Sequence, residues 1–168
     1  MAIGRRRLAL VLAGATLAAT AAAALRPVTV LEIENAARGR TFRVALRPGE
    51  SFSVTSRHSI YDRPVTEEFA VEGGGAVQLL AVSSPSAAVR EYFGITAAGE
   101  RHAVARTLPE VVFRVAAGSP QSLRVGGVER SFLDFGDHGD RLVLRAARTP
   151  ALAAALAGGK AASRAEPR

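Results

Sequence analysis

Ser51-Phe52-Ser53-Val54-Thr55-Ser56-Arg57-His58, followed six residues later by Val65-Thr66-Glu67-Glu68-Phe69-Ala70-Val71, decides the fold class of this 168-residue chain. Successive side chains of an extended strand point to opposite faces. The first run therefore sends Phe52, Val54, Ser56 and His58 one way, and Ser51, Ser53, Thr55 and Arg57 the other. The second groups Val65, Glu67, Phe69 and Val71 against Thr66, Glu68 and Ala70. Joined by Ser59-Ile60-Tyr61-Asp62-Arg63-Pro64, the two runs read as an antiparallel hairpin. The apolar set of each marks its core face, so Glu67 is expected to point inward among apolar neighbours.

Outward from this hairpin the same period of two recurs in short runs: Val28 to Glu34, Thr41 to Leu46, Val77 to Val82, Val111 to Ala116, Ser122 to Val125 and Leu142 to Ala146. Turn formers separate them, among them Arg47-Pro48-Gly49-Glu50, Gly73-Gly74-Gly75, Gly118-Ser119-Pro120, Gly126-Gly127 and Phe135-Gly136-Asp137. The expectation is an all-β domain, a small antiparallel sandwich or barrel of about eight strands. Ser86 is an N-cap candidate for a turn or two of helix ahead of Gly94, and Ala97 to Leu108 reads as a loop. Thr149-Pro150 reads as N-cap and first residue of a short C-terminal helix over Ala151 to Ala157, stopped by Gly158-Gly159 and followed by a tail, Lys160 to Arg168. Three regions result: 1–25 as leader, 26–148 as the β domain, and 149–168 as helix and tail.

Same-face pairing in the hairpin sets His58 opposite Glu67 or Val65, and both registers bring the imidazole near the Glu67 carboxylate. Directly opposed Cβ atoms lie about 4.5–5.5 Å apart and diagonal ones about 7–8 Å. A lone buried carboxylate is costly or stays protonated, and a histidine across the ladder relieves that cost. The pair is open to two readings. One is a structural device fixing the register; the other is a binding site at the hairpin mouth, where Ser59, Tyr61 and Arg63 join His58 and Glu67 to hold an anion or a carboxylate group.

Catalysis has less support. Ser59 adjoins His58, but neighbouring strand residues project to opposite faces, and no Gly-x-Ser-x-Gly elbow is present. Asp134, Asp137, His138 and Asp140 lack the spacing of a calcium loop, and His102 reads as a solvated loop histidine. With no cysteine in the chain there is neither a disulfide framework nor a thiolate metal site. No enzymatic activity, metal or cofactor is therefore expected.

The N-terminus has the order of an export signal: Arg5-Arg6-Arg7, an uncharged alanine-rich segment from Leu8 to Leu25, and a small-residue cleavage site at Ala22-Ala23-Ala24. A run of about 18 uncharged residues also approaches the ~20 of a spanning helix, which leaves cleavage and anchoring both open. Either way the arginines stay cytoplasmic and the domain is expected in the periplasm or tethered to the outer face of the cytoplasmic membrane. Removing 24 residues leaves 144, enough for one domain with a core. It lowers the net charge from +7 to +4, because three of the 22 basic residues go with it. The remaining arginines are scattered, without a basic stripe or aromatic interleaving, which argues against nucleic acid.

His58-Ser59, a short connection, then Pro64-Val65-Thr66-Glu67-Glu68-Phe69 resembles a small family of exported bacterial proteins of unknown function. Its recurring pattern is a strand ending in His-Ser followed by Pro-Val-x-Glu-x-Phe. The resemblance spans about Leu46 to Gly94. It departs at Ser84-Pro85-Ser86-Ala87-Ala88-Val89, where many relatives carry a glycine-rich segment. Such proteins are often encoded beside the fused membrane subunit of tripartite ATP-independent periplasmic (TRAP, TAXI-type) transporters. The resemblance thus implies an accessory role in solute uptake; together with the export signal and the compact β architecture it leads to the expectation of a non-enzymatic accessory protein, with a transporter subunit or its solute receptor as partner. The rival expectation is an independent ligand binder or enzyme using His58 and Glu67.

Overall fold

The structure, a computed structural model, describes residues 2–72, 75–116 and 118–155. A helix, α1 (Ala2–Leu25), leads into ten strands: β1 (Pro27–Asn35), β2 (Arg40–Ala45), β3 (Ser51–Arg57), β4 (Pro64–Val71), β5 (Val77–Ser83), β6 (Arg101–Leu108), β7 (Val111–Arg114), β8 (Ser122–Val125), β9 (Val128–Ser131) and β10 (Arg141–Pro150). A short helix, α2 (Ala87–Tyr92), lies between β5 and β6. Among the described residues no helix is long and apolar enough to cross a membrane.

The strands form two antiparallel sheets, one ordered β2-β1-β10-β7 and the other β6-β5-β4-β3-β8-β9. Their inward side chains make a single core. Leu31, Ile33, Leu142 and Leu144 come from the first sheet and Phe52, Val54, Phe69 and Leu79 from the second, each almost wholly buried. Phe52 and Phe69, directly opposed on β3 and β4, stack with centroids 5.1 Å apart. The polar sets found by alternation lie on the opposite face of the same strands. There Thr55 and Thr66 hydrogen-bond across the ladder, and Arg101 grips Glu68 with two bonds of 2.8 and 2.7 Å.

Two strands escape the expected count of eight. β6 occupies most of the segment read as a loop, and it is an edge strand carrying Arg101 and Arg106 at exposed positions, which blurs its alternation. β9 is four residues long and pairs with β8 through Gly126-Gly127, both at positive φ (56° and 81°). Consecutive left-handed residues give the tight turn that matches strand twist, and glycine takes them without strain.

Ser86 caps α2 as expected, its hydroxyl accepting the Val89 amide. Thr149 and Pro150 do not cap a helix. They are the last residues of β10, facing Val28 and Pro27 on β1, and the helical turn begins only at 151 and is described to 155. β1 draws them into the sheet because its own N-terminal residues need partners. The rest of the expected C-terminal helix, its glycine stop, the tail, and Gly73-Gly74 lie outside the described residues.

Candidate functional site

The β3–β4 hairpin closes more tightly than alternation alone indicates. Arg57 faces Pro64, Ser56 faces Val65 and Val54 faces Glu67. Beyond the ladder the His58 amide donates to the Arg63 carbonyl at 2.8 Å, and the Asp62 amide donates to the His58 carbonyl at 2.8 Å. The connection shrinks to Ser59-Ile60-Tyr61-Asp62. Asp62 takes a left-handed conformation (φ 50°), and the Arg57 guanidinium fixes it through bonds of 2.6 Å to its carboxylate and to its carbonyl. The bond from Arg57 holds the Asp62 carboxyl below its ordinary pKa.

This register keeps the faces but separates the expected pair. Glu67 points inward, yet it sits opposite Val54, four residues along the strand from His58, or roughly 13 Å at ~3.3 Å per residue. The imidazole–carboxylate contact is not made, because closure at His58 and Arg63 shifts the whole ladder toward the turn. Glu67, itself partly buried, is flanked instead by Val54 and Val82 across the ladders and by Val65 and Phe69 along its own face, all four of them buried. Among the described residues nothing donates a hydrogen bond to it or neutralises its charge, and desolvation raises its pKa to about 7.

His58 finds aromatic partners. It is 8% exposed, its ring stacks on Tyr61 with centroids 5.1 Å apart, and Tyr92 meets it edge-on at 4.5 Å. Phe93 completes the cluster. Nδ1 of His58 accepts the Ile60 amide at 3.3 Å, so the loop backbone, and not the Ser59 hydroxyl, engages that nitrogen. Tyr92 and Phe93 are brought in by the end of α2. The Ser84 hydroxyl donates to the Pro64 carbonyl at 2.7 Å, and Arg90 reaches back to the Ser84 carbonyl at 3.1 Å, which seats the helix beside the hairpin. The outer surface of the cluster is apolar and exposed: Ile60 at 68%, Tyr92 at 61% and Tyr61 at 42%. Ser59 and Arg63 are exposed on the same loop.

The loop with Asp137 and Asp140 has a structural use. Asp140 accepts from Asn35 at 2.8 Å, from Arg38 at 2.7 Å and from the Asp137 amide at 3.0 Å. The bond from Asn35, then that from Arg38, lowers its pKa to about 2. Arg38 also pairs with Asp137. Fully buried Asn35 donates in addition to the Phe135 carbonyl at 3.1 Å, so the network ties β1 to the loop before β10. His102, expected in a solvated loop, lies in β6 with Nε2 2.9 Å from the Gly99 carbonyl.

Comparison with protein-family models, with curated proteins and with solved structures gives no match for this chain.

His58→Ala is expected to cost on the order of 2 kcal/mol, from lost aromatic packing and an orphaned Ile60 amide. His58→Phe keeps the packing and should recover more than half of that. Urea unfolding of both variants checks it; equal losses would mean that the ring contacts contribute nothing.

Proposed function

We propose that the protein is an exported, non-enzymatic accessory protein that docks on the membrane subunit of a solute transporter through the tip of the β3–β4 hairpin. The observation that carries this reading is the exposed cluster of Ile60, Tyr61 and Tyr92 built over buried His58. Tyrosine offers large contact area with few torsions to immobilise, and aromatic side chains with arginine are enriched among the residues that dominate protein interfaces. Arg63 supplies the charge at the rim. The Arg57–Asp62 link holds the loop in one conformation before a partner arrives, which lowers the ordering cost of docking.

The transporter as partner comes from the resemblance of the His58-Ser59 to Glu67 segment, and export from the Arg5-Arg6-Arg7 and alanine-rich order that α1 carries. The separation of Glu67 from His58 removes the residue pair on which an independent binder or enzyme would rely. Affinity capture from detergent-solubilised membranes tests the proposal. The wild-type chain is expected to retain the transporter's membrane subunit, and Tyr61→Ala combined with Tyr92→Ala to lose at least tenfold of it while staying folded at the capture temperature by circular dichroism, its lower urea midpoint reflecting the lost contacts with His58. Undiminished capture by the double variant, or capture of the solute receptor alone, would overturn it.

A further inference from the structure

Between the β2 edge of one sheet and the β8–β9 edge of the other lies a cavity of about 540 Å3. This falls within the ~300–1,000 Å3 of small-molecule sites. Phe42 and Val44 of β2, Leu123 and Val125 of β8, and Phe135 form its walls, with the Phe42 and Phe135 rings edge to face at 5.2 Å. The remaining wall is the helical turn 151–155, which turns Ala151, Ala154 and Ala155 toward it. That spacing is one face of a helix, and alanine along it bounds the space without filling it.

The polar part of the lining is mostly cationic: Arg43, Arg47 and Arg130 against Glu50. Glu50 is engaged by its own turn, where its Oε2 accepts the Arg47 amide at 2.8 Å. Arg43 is held by Glu32 at 2.6 Å. Among the described residues the Arg47 guanidinium has no ion-pair partner. An apolar slot with the Arg47 guanidinium outside any ion pair at its rim complements a ligand that is apolar along its length and anionic at one end. We infer that this cavity binds an acyl chain with an anionic head, the chain between the two sheets and the head at Arg47. The site shares no residue with the hairpin cluster and stands independently of the docking proposal.

The full-length chain in amphipol, incubated with a diazirine-bearing palmitate, tests this by photolabelling and peptide mapping. Label is expected on the segments 42–46 and 123–125. Ala154→Phe, which fills the cavity, should cut that label at least fivefold while leaving any label on α1 unchanged. Arg47→Glu, a rim change that disturbs no core residue, should also cut it at least fivefold, and the uncharged methyl ester of the probe should label as weakly. Competition by oleate would make a free fatty acid the natural ligand, and competition by phosphatidylglycerol vesicles a membrane lipid. Label confined to α1, label unaffected by both variants, equal labelling by the methyl ester, or competition by neither lipid would overturn the inference.

Discussion

Stability of the domain is expected to fall as pH rises from about 4.5 to about 7, and Glu67→Gln should abolish that fall. The folded chain holds the Glu67 proton up to about pH 7, while the unfolded chain releases it near the ordinary value of 4.5. Between these limits the folded state binds more protons, so raising the pH favours unfolding, and above about 7 the loss is complete. A displacement of that size corresponds to roughly 3 kcal/mol. The neutral amide has the shape of the protonated acid, so the variant should match wild type near pH 4 and exceed it by up to about 3 kcal/mol at pH 8. Urea titrations at pH 4, 6 and 8 measure the difference, in which the carboxylates common to both chains cancel. A difference that does not change with pH would show that the carboxylate reaches water.

Gly136→Ala should destabilise the fold by roughly 3 kcal/mol, which is large for one methyl group. Its backbone has no positive φ, so the cost is one of space. A Cβ at this position would lie 2.5 Å from Asn35 Nδ2 and 3.0 Å from Asp140 Oδ2. Neither atom yields cheaply: the amide is fully buried and bonds both Asp140 and the Phe135 carbonyl, and Asp140 also receives Arg38. Overpacking of about 1–3 kcal/mol and the loss of a buried hydrogen bond, of similar size, act together. Gly118→Ala is the control, since nothing lies within 4 Å of its added Cβ. Equal unfolding midpoints for the two variants would mean that the loop moves aside at little cost.

The alternation of β3 and β4 was legible from the sequence, and with it the inward position of Glu67, because a face depends only on parity. Register was not. It depends on where the hairpin closes, and that is settled by the left-handed Asp62 and its bonds to Arg57, which no periodicity encodes. The same limit hid the partners of His58. Tyr92 and Phe93 read as the end of a short helix, and only the Ser84–Pro64 and Arg90–Ser84 bonds set them against the hairpin. β6 was invisible because an edge strand needs only one covered side, and its outward arginines break the pattern. The cavity could not be read at all, since its walls come from segments far apart in the chain and its space is made by alanines that carry no signal of their own.

Strand β1 is paired along its whole length with β10, from Pro27 against Pro150 to Asn35 against Leu142, partners more than 100 residues apart. Such a contact closes a long loop before it returns any stabilisation, and folds dominated by distant pairings form slowly. A chain emerging N-terminus first therefore holds its first strand with only β2 beside it until β10 has been made, and the core that β1 and β10 jointly line waits with it. The topology thus acts as a timer: synthesis runs ahead of collapse, and the making of β10, more than 100 residues after β1, is the event that commits the two sheets to their native state.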